Sequence, residues 1–194
     1  MAKATLSNQR RAALKALALT SLIFLMVVTI MDIKSGTAET ATAAATKTAF
    51  SISSPAFKDR GDIPGKYTCK GEDVSPPLVI RNVPEGTKSL ALIVDDPDAP
   101  AHVWTHWLVW NIRPDTGKIE SGDAPSGSVV GINDFRRNDY GGPCPPSGTH
   151  RYFFKLYALG KMLDLKTGAT KEDLESAMRG HIIQSTQIVG LFSK

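Results

Sequence analysis

The sequence predicts a mainly β, sandwich-like domain with one or two short helices. Short apolar runs alternate with turns rich in proline and glycine, and only one segment has the apolar spacing of a helix. All 12 prolines lie after residue 50, so the composition changes there and marks the start of the domain. Many short strands joined by proline and glycine turns are typical of a β sandwich.

The strands are short and are separated by recognisable turns. Six are predicted, at residues 50–53, 78–80, 89–94, 105–112, 151–159 and 187–192. Residues 61–69 are interpreted as a loop that passes into a further strand. The run at 151–159 is aromatic and almost continuously apolar, which favours a central position in its sheet. Residues 113–150 show little pattern apart from an apolar piece at 129–132, and we interpret them as loops that form a site.

One helix is predicted, at residues 170–179. Thr170 is suited to cap its first turn, because a threonine oxygen accepts a hydrogen bond from the free N–H groups at a helix start. The residues that form its apolar side at helical spacing are Leu174, Ala177 and Met178. Gly180 is expected to end the helix.

Residues 1–49 carry the whole positive excess of the chain. They hold six Lys or Arg and two acidic residues, which leaves 17 basic and 17 acidic residues for the domain at 50–194. A neutral domain gives no indication of the basic patch that nucleic-acid binders show. Nucleic acid is therefore not expected as a partner.

The first 35 residues are interpreted as a signal peptide or an N-terminal membrane anchor. Arg10 and Arg11 precede an apolar run at 16–31, which is the order of a positive flank and an export segment. Residues 36–49 are small and polar and are interpreted as a flexible linker. We therefore expect an extracytoplasmic domain, periplasmic or secreted, which the run at 16–31 anchors if it is not cleaved. Membrane contact is expected only through this segment.

An acidic turn between two apolar runs is the first indication of a site. Asp95, Asp96 and Asp98 follow the run at 89–94, and the next strand contains His106 near its start. Pro97 and Pro100 stiffen the turn, since proline fixes its own backbone and restricts the residue before it. This arrangement predicts a pocket mouth; the alternative is a solvated acidic turn between two core strands.

A second stretch, residues 140–152, has the same character. Gly141 and Gly142 allow close approach of the backbone to a ligand, and three nearby prolines hold the loop stiff. His150 and Tyr152 begin the following strand and, by alternation, face the same side. Two strands thus begin near a histidine after a rigid turn, and we expect both turns at one end of the sheet.

Four chemistries are compatible with these residues. The leading one is an anion pocket, in which two imidazoles and backbone N–H groups take a phosphate. A metal site of two histidines and a carboxylate is disfavoured, because the spacing lacks a metal-binding signature. A thiol enzyme using Cys144 and His150, and acid–base hydrolysis by Asp96 and Asp98, are the remaining alternatives.

Several motifs resemble those of the phosphatidylethanolamine-binding protein family. The two blocks that carry the resemblance are Asp96-Pro97-Asp98-Ala99-Pro100 with His106-Trp107, and Gly142-Pro143-Cys144-Pro145-Pro146-Ser147-Gly148-Thr149-His150-Arg151-Tyr152. Further motifs, at 63–69, 75–78 and 180–182, resemble the bacterial branch, the Raf-kinase-inhibitor-like proteins. The likeness covers about residues 50–194.

The resemblance implies a sandwich of two antiparallel sheets with an anion pocket at one end. The residues that it assigns to ligand binding are Asp96, Asp98, His106, Tyr140, Gly142, Pro143, His150 and Tyr152. The expected function is non-enzymatic binding of a small anion or phospholipid headgroup, with no catalytic residues, metal or cofactor. The alternative is a protein-level inhibitor of a protease or kinase, since family members elsewhere act in that way.

The chain has two cysteines, Cys69 and Cys144. An even count in an exported protein favours a disulfide. The resemblance places both of their loops near the pocket end, so we expect them to be bonded to each other. The alternative is two separate buried thiols.

The two histidines are expected to share one electrostatic setting. His106 and His150 lie near Asp96 and Asp98 in the expected pocket, and a nearby carboxylate favours a charged imidazole. We therefore expect both to stay protonated to higher pH than a free histidine. Asp96 is expected to orient one of the two rings.

Overall fold

The computed structural model of this protein describes residues 49–194. The predicted signal or anchor at 1–35, and almost all of the predicted linker, lie outside the described residues. Within the described part of the chain, no helix is long and apolar enough to cross a membrane.

The described residues form nine strands and one α-helix. The strands are β1 (Ser51–Ser53), β2 (Gly61–Asp62), β3 (Leu78–Arg81), β4 (Ser89–Asp96), β5 (Trp104–Ile112), β6 (Lys118–Ile119), β7 (Val129–Val130), β8 (Thr149–Leu159) and β9 (Ile182–Ser193). The helix, α1, is Lys171–Met178, and a 3₁₀ turn occupies Gly65–Tyr67.

The strands form two sheets, which confirms the predicted fold class. The smaller sheet has the order β1-β3-β6, and the larger has the order β2-β9-β8-β4-β5-β7. Neighbouring strands are antiparallel, except that β2 adds to the end of β9 in parallel. The run at 151–159 lies inside the larger sheet as β8, between β4 and β9, as its apolar character predicted.

The main core lies between the two sheets and follows from alternation along the strands. Leu90, Leu92 and Val94 of β4 point into it. The alternate residues Ala91 and Ile93 point to the opposite face of the larger sheet. There they pack with residues of α1, namely Leu174 and Met178. β4 is therefore buried on both faces, which is why it reads as a continuous apolar run.

The helix is built as the sequence predicts. The side chain of Thr170 accepts a hydrogen bond from the backbone N–H of Asp173, and the Asp173 carboxylate accepts one from the N–H of Thr170. This reciprocal pair is a capping box, which satisfies two N–H groups that a helix start leaves free. Gly180 follows the helix with a φ of 78°, a conformation that glycine adopts without strain.

Three short or polar segments differ from the sequence prediction. Residues 61–69 form β2 and a 3₁₀ turn rather than a loop that enters a longer strand, because the N–H of Tyr67 bonds back to the carbonyl of Pro64. β6 has only two residues, too few for a periodic pattern. β9 begins at Ile182 rather than at residue 187, and its first residues are exposed, so burial imposes no apolar alternation on them.

Candidate functional site

A small cavity of about 210 Å³ opens where β4, β5 and β8 meet the proline-rich loops. The residues that line it are Asp96, Ala99, Pro100, Trp104, His106, Phe135, Cys144, Pro145, Pro146 and His150. Its walls are mostly apolar, and its charged or titratable lining groups are one aspartate and two histidines. All three are nearly inaccessible, with 3–7% of their surface exposed.

A larger groove of about 550 Å³ lies beside the start of α1. Lys171, Glu172 and Asp134 are among the residues that line it, so both signs of charge are present. Size alone does not identify a site, whereas buried polar groups that converge on a cavity do. We therefore take the smaller cavity as the candidate site.

Alternation along β4 separates its last two aspartates. Asp96 follows Val94 on the side of the sandwich core, and Asp95 follows Ile93 on the side of the helix. Only Asp96 can therefore reach the cavity. Asp95 is fully buried on the other face, where its carboxylate accepts hydrogen bonds from Lys155 and Lys171 at 2.8 and 2.7 Å.

Asp96 orients His150 through a short buried hydrogen bond. The His150 Nδ1 lies 2.7 Å from Asp96 Oδ2, and because an ionised carboxylate only accepts, this nitrogen donates. The other oxygen, Asp96 Oδ1, accepts the backbone N–H of Asp98 at 2.8 Å. The remaining ring nitrogen, His150 Nε2, is therefore the one left for a ligand in the cavity.

His106 reaches the cavity through a β-bulge in β5. Val94 pairs with Trp107 but Asp95 pairs with Thr105, so His106 is an extra residue in the ladder. Strict alternation would place His106 with Leu108, which packs on the helix side. The bulge instead turns it towards the core side, where its ring packs edge-on against Tyr152 at 5.2 Å.

Burial controls the protonation of His106. Its Nδ1 donates to the carbonyl of Gly141 at 2.6 Å, and its ring also packs against Phe135. Removal from water lowers the pKa of His106, and this outweighs the opposite effects of the Gly141 carbonyl and of nearby aspartates. The expectation that His106 stays protonated to higher pH is therefore wrong, because burial exceeds the attraction of the carboxylates. For His150 that expectation stays a prediction.

Asp98, which the sequence analysis assigned to ligand binding, binds an arginine of the chain itself. Its carboxylate receives Arg151 through Nε at 2.8 Å and through the terminal nitrogen at 2.7 Å, and it also accepts the Arg151 backbone N–H. The hydrogen bond from Arg151 is the main cause that lowers the pKa of Asp98. Asp98 does not line the cavity. Its geometry indicates a role in holding the start of β8 beside the acidic turn.

Two further predicted residues hold the 140–146 loop. Tyr140 donates from its hydroxyl to the carbonyl of Tyr67 at 3.0 Å and packs against Trp107. The N–H of Gly142 bonds to Asp73 Oδ1 at 2.7 Å, and a Cβ at Gly142 would meet that oxygen at 2.6 Å. Neither lines the cavity. The close backbone approach at Gly142 is thus to the neighbouring loop that contains Asp73, and not to a ligand as the sequence analysis expected.

The two cysteines join the same two loops. Cys69 and Cys144 form a disulfide with 5.5 Å between their Cα atoms, and Cys144 lines the cavity. Beside it, the carbonyl of Pro143 accepts the N–H of Cys69 at 3.1 Å. Pro143 therefore supports the wall from behind and does not line the cavity itself.

Aromatic residues that the sequence analysis did not select complete the cavity. Trp104 and Phe135 line it and pack against each other with ring centres 5.4 Å apart. The Trp104 Nε1–H and the Tyr152 hydroxyl are buried and have no hydrogen-bond partner among the described residues. Tyr152, which was predicted, lies beside the cavity lining rather than in it. The position of Trp104, two residues before His106, was a usable signal, but the position of Phe135 in an irregular loop was not.

The described residues contain no group of three or more His, Cys, Asp or Glu side chains that could hold a metal ion. Besides the Asp96–His150 pair, the cavity lining contains one further titratable residue, His106. The arrangement offers hydrogen bonds in a small pocket whose polar side chains are buried.

Known proteins of one family match this chain over the described domain. The family model described as phosphatidylethanolamine-binding protein matches residues 53–193. A UPF0098 protein of Methanothermobacter thermautotrophicus is 55% identical over 144 residues, which cover 72% of this chain and 95% of that protein. A UPF0098 protein of Aquifex aeolicus is 47% identical, over 74% of this chain and 88% of that protein.

Two solved structures are similar in fold. The phosphatidylethanolamine-binding protein (PEBP) homolog CT736 of Chlamydia trachomatis superposes with a TM-score of 0.72 at 41% identity, and covers 75% of this chain and 98% of its own. YbcL of Escherichia coli, described as a member of the mammalian PEBP family, gives a TM-score of 0.71 at 30% identity with the same coverage.

Proposed function

Because the chain belongs to the phosphatidylethanolamine-binding protein family, we propose that it is a non-enzymatic binding protein for a phosphate-bearing headgroup or a similar small anion. The observation that carries the proposal is the buried Asp96–His150 pair, which leaves His150 Nε2 for a ligand in the cavity. In the imidazolium form, Nδ1 donates to Asp96 while Nε2 keeps a proton that it can donate to an anion.

The dimensions of the cavity support a headgroup rather than a whole lipid. Its volume of about 210 Å³ is below the range of roughly 300–1,000 Å³ that is usual for sites of drug-sized ligands. The domain at 50–194 is neutral, so affinity depends on local donors such as His150 Nε2 rather than on a long-range field.

Calorimetric titration of the purified domain with inorganic phosphate at about pH 6 tests the proposal. Wild type should bind with an affinity in the range of about millimolar to micromolar. His150→Ala should lose about tenfold or more in affinity, because it removes the charge-assisted donor. His181→Ala, at an exposed position after α1, is the matched control and should bind as wild type does. Absence of phosphate binding, or equal binding by His150→Ala, would reject the pocket.

The same variant separates this proposal from inhibition of a protease or kinase. An inhibitor that uses a broad surface should keep its partner when the cavity is altered, whereas a headgroup binder should lose its ligand. A partner protein that binds wild type and His150→Ala equally well would therefore favour the inhibitor.

The binding domain is placed outside the cytoplasm in this proposal. The support is the positive flank and the apolar run at 16–31 that precede a neutral domain. A reporter that is active only outside the cytoplasm, fused after residue 194, should score positive. Activity of a cytoplasmic reporter alone would overturn the assignment.

A further inference from the structure

Strand β9 has an open edge over its first half. On one side β9 pairs with β8 along nearly its whole length, whereas on the other side β2 pairs only with residues 190–191. Among the described residues, no strand or loop forms backbone hydrogen bonds with the outer side of residues 182–187, which we call the open edge. These residues are exposed except Thr186, which is half-buried.

Alternation identifies the backbone groups that the open edge leaves free. Val189 directs its carbonyl and its N–H away from β8, because they bond to the N–H of Arg60 and to the carboxylate of Asp59. In an antiparallel ladder this direction repeats at every second residue. Ser185 and Gln187 therefore direct their N–H groups and carbonyls outward, where they have no partner among the described residues.

The open edge lacks the usual protection against a further strand. Native proteins block such edges with charged side chains, proline, bulges or a covering loop. β9 contains no charged residue and no proline. Ile182 and Ile183 leave 45% and 44% of their surface exposed, and a bulge at Ile183 interrupts the pairing only at the beginning of the edge. The remaining edge strands, β1, β2, β6 and β7, have only two or three residues each.

The free groups of the open edge are complementary to those of a second copy of this chain. In an antiparallel pair, two residues opposite each other can exchange both of their hydrogen bonds. A two-fold axis that places Ser185 opposite Gln187 of the second copy also places Gln187 opposite its Ser185. The two pairs satisfy every outward N–H and carbonyl of these residues. Thr186 then faces its own counterpart, and threonine pairs are favourable across strands.

The charges beside the open edge are also complementary under this symmetry. Arg179 and His181 precede the edge at one end. Lys58, Asp59 and Arg60 lie at the other end, and of these three Asp59 is bonded to β9 through its side chain. Antiparallel pairing brings the Asp59 end of one copy towards the basic end of the second. The edge itself is uncharged, so like charges do not meet along it, and it offers no charge by which to recognise a different peptide.

We propose that the open edge of β9 joins two copies of this chain into a two-fold dimer, with one sheet continuing across the interface. This dimer is independent of the proposed function, because the cavity lies at the start of β8 and the open edge lies beside its end. The paired segment is short, so the interface is at the small end of the usual range, and a dissociation constant of about 10–100 µM is expected.

Sedimentation equilibrium of the purified domain between about 1 and about 500 µM tests the proposal. Relatives that consist almost wholly of this domain indicate that it folds without residues 1–48. The average mass should rise from that of a monomer to that of a dimer and stop there, because a two-fold interface closes on itself. A monomer at all concentrations would overturn the proposal, and so would continued growth beyond the dimer.

Two double variants at exposed positions test the register. Ser185→Lys with Gln187→Lys places like charges opposite each other and should weaken the dimer at least about tenfold. Ser185→Lys with Gln187→Glu places opposite charges there and should dimerise at least as well as wild type. The control, Ser51→Lys with Ser53→Lys on the edge strand β1, should leave dimerisation unchanged. A dimer that survives the first double variant, or that both double variants lose, would overturn the proposed pairing.

Hydrogen exchange tests the same pairing in wild type and decides if a variant does not fold. The N–H groups of Ser185 and Gln187 should exchange about threefold faster at about 20 µM than at about 500 µM, because dilution frees the edge. Those of Gln184 and Thr186 point towards β8 by alternation and should change less. The same concentration dependence in both sets, or none in either, would contradict the proposal.

Discussion

At the scale of single residues, three neighbouring aspartates have three different partners. Asp95 binds two lysines on the helix side of the sheet, Asp96 orients His150 in the cavity, and Asp98 binds Arg151 near the start of β8. The partner, rather than the residue type, determines what each carboxylate does. We expect the buried carboxylate of Asp96, which orients a cavity histidine, to affect ligand binding. We expect the partly exposed carboxylate of Asp98, which is paired with arginine, to affect mainly the local backbone order.

Asp96→Asn and Asp98→Asn should therefore have different effects. Asp96→Asn should weaken phosphate binding about tenfold or more and lower the free energy of unfolding by about 1–3 kcal/mol, because it disrupts a buried charge-assisted hydrogen bond. Asp98→Asn should change stability by less than about 1 kcal/mol, since 48% of the Arg151 side chain is exposed. Calorimetry and urea unfolding measure both effects. Equal losses of binding in the two variants would contradict the division of roles.

The lowered pKa of His106 makes a prediction about stability and pH. Between the unfolded value of about 6.5 and the lower folded value, the unfolded state binds more protons. The stabilising contribution of neutral His106 to the free energy of unfolding is thus complete above about pH 6.5. It is lost as the pH falls from about 6.5 through the lower pKa of the folded state. His106→Phe should show a shallower fall in unfolding free energy than wild type between about pH 7 and about pH 5. Urea unfolding across this range tests it, and parallel profiles for the two proteins would count against a neutral His106.

At the scale of elements, β4 connects the two faces of the larger sheet. One face of its C-terminal end builds the cavity through Asp96, and the other fastens α1 through Asp95. Lys155 and Lys171 approach Asp95 with side chains only 30% and 16% exposed. Removing the carboxylate would leave two poorly hydrated cations, and the cost of that exceeds the modest net gain of forming the cluster.

Asp95→Asn should accordingly destabilise the protein by about 3 kcal/mol or more. The matched control is Glu175→Gln, whose carboxylate lies 4.0 Å from the same Lys171 but is half exposed. That change should cost less than about 0.5 kcal/mol, as is usual for an exposed pair on one helix. Equilibrium unfolding in urea measures both variants. Similar small losses for the two would show that the lysines are well hydrated without Asp95.

At the scale of the whole domain, the Cys69–Cys144 disulfide joins segments 75 residues apart in sequence. It connects the loop after the 3₁₀ turn to the loop that walls the cavity. Closing a loop of that length limits the freedom of the unfolded chain. The disulfide thus acts on global stability and on the order of the cavity wall together.

Replacing both cysteines by serine should lower the free energy of unfolding by about 4 kcal/mol in the chain-entropy account. The variant should also bind phosphate more weakly, because Cys144 lines the cavity. Reductant added to wild type should reproduce both losses but leave the variant unchanged. A variant as stable as wild type, with reductant having no effect on either, would show that the bond contributes little.

The sequence by itself determined the fold class, the central strands and the helix, because these follow from local alternation, turn residues and capping chemistry. It also identified Asp96 and His150, since each lies beside a rigid turn at the end of a strand. Tertiary structure alone decided that a bulge turns His106 towards the cavity, that Arg151 engages Asp98, and that Phe135 closes the wall. Strand register, ion pairing and burial depend on residues far apart in the chain. Burial in turn lowers the pKa of His106, which no count of nearby carboxylates in the sequence could predict.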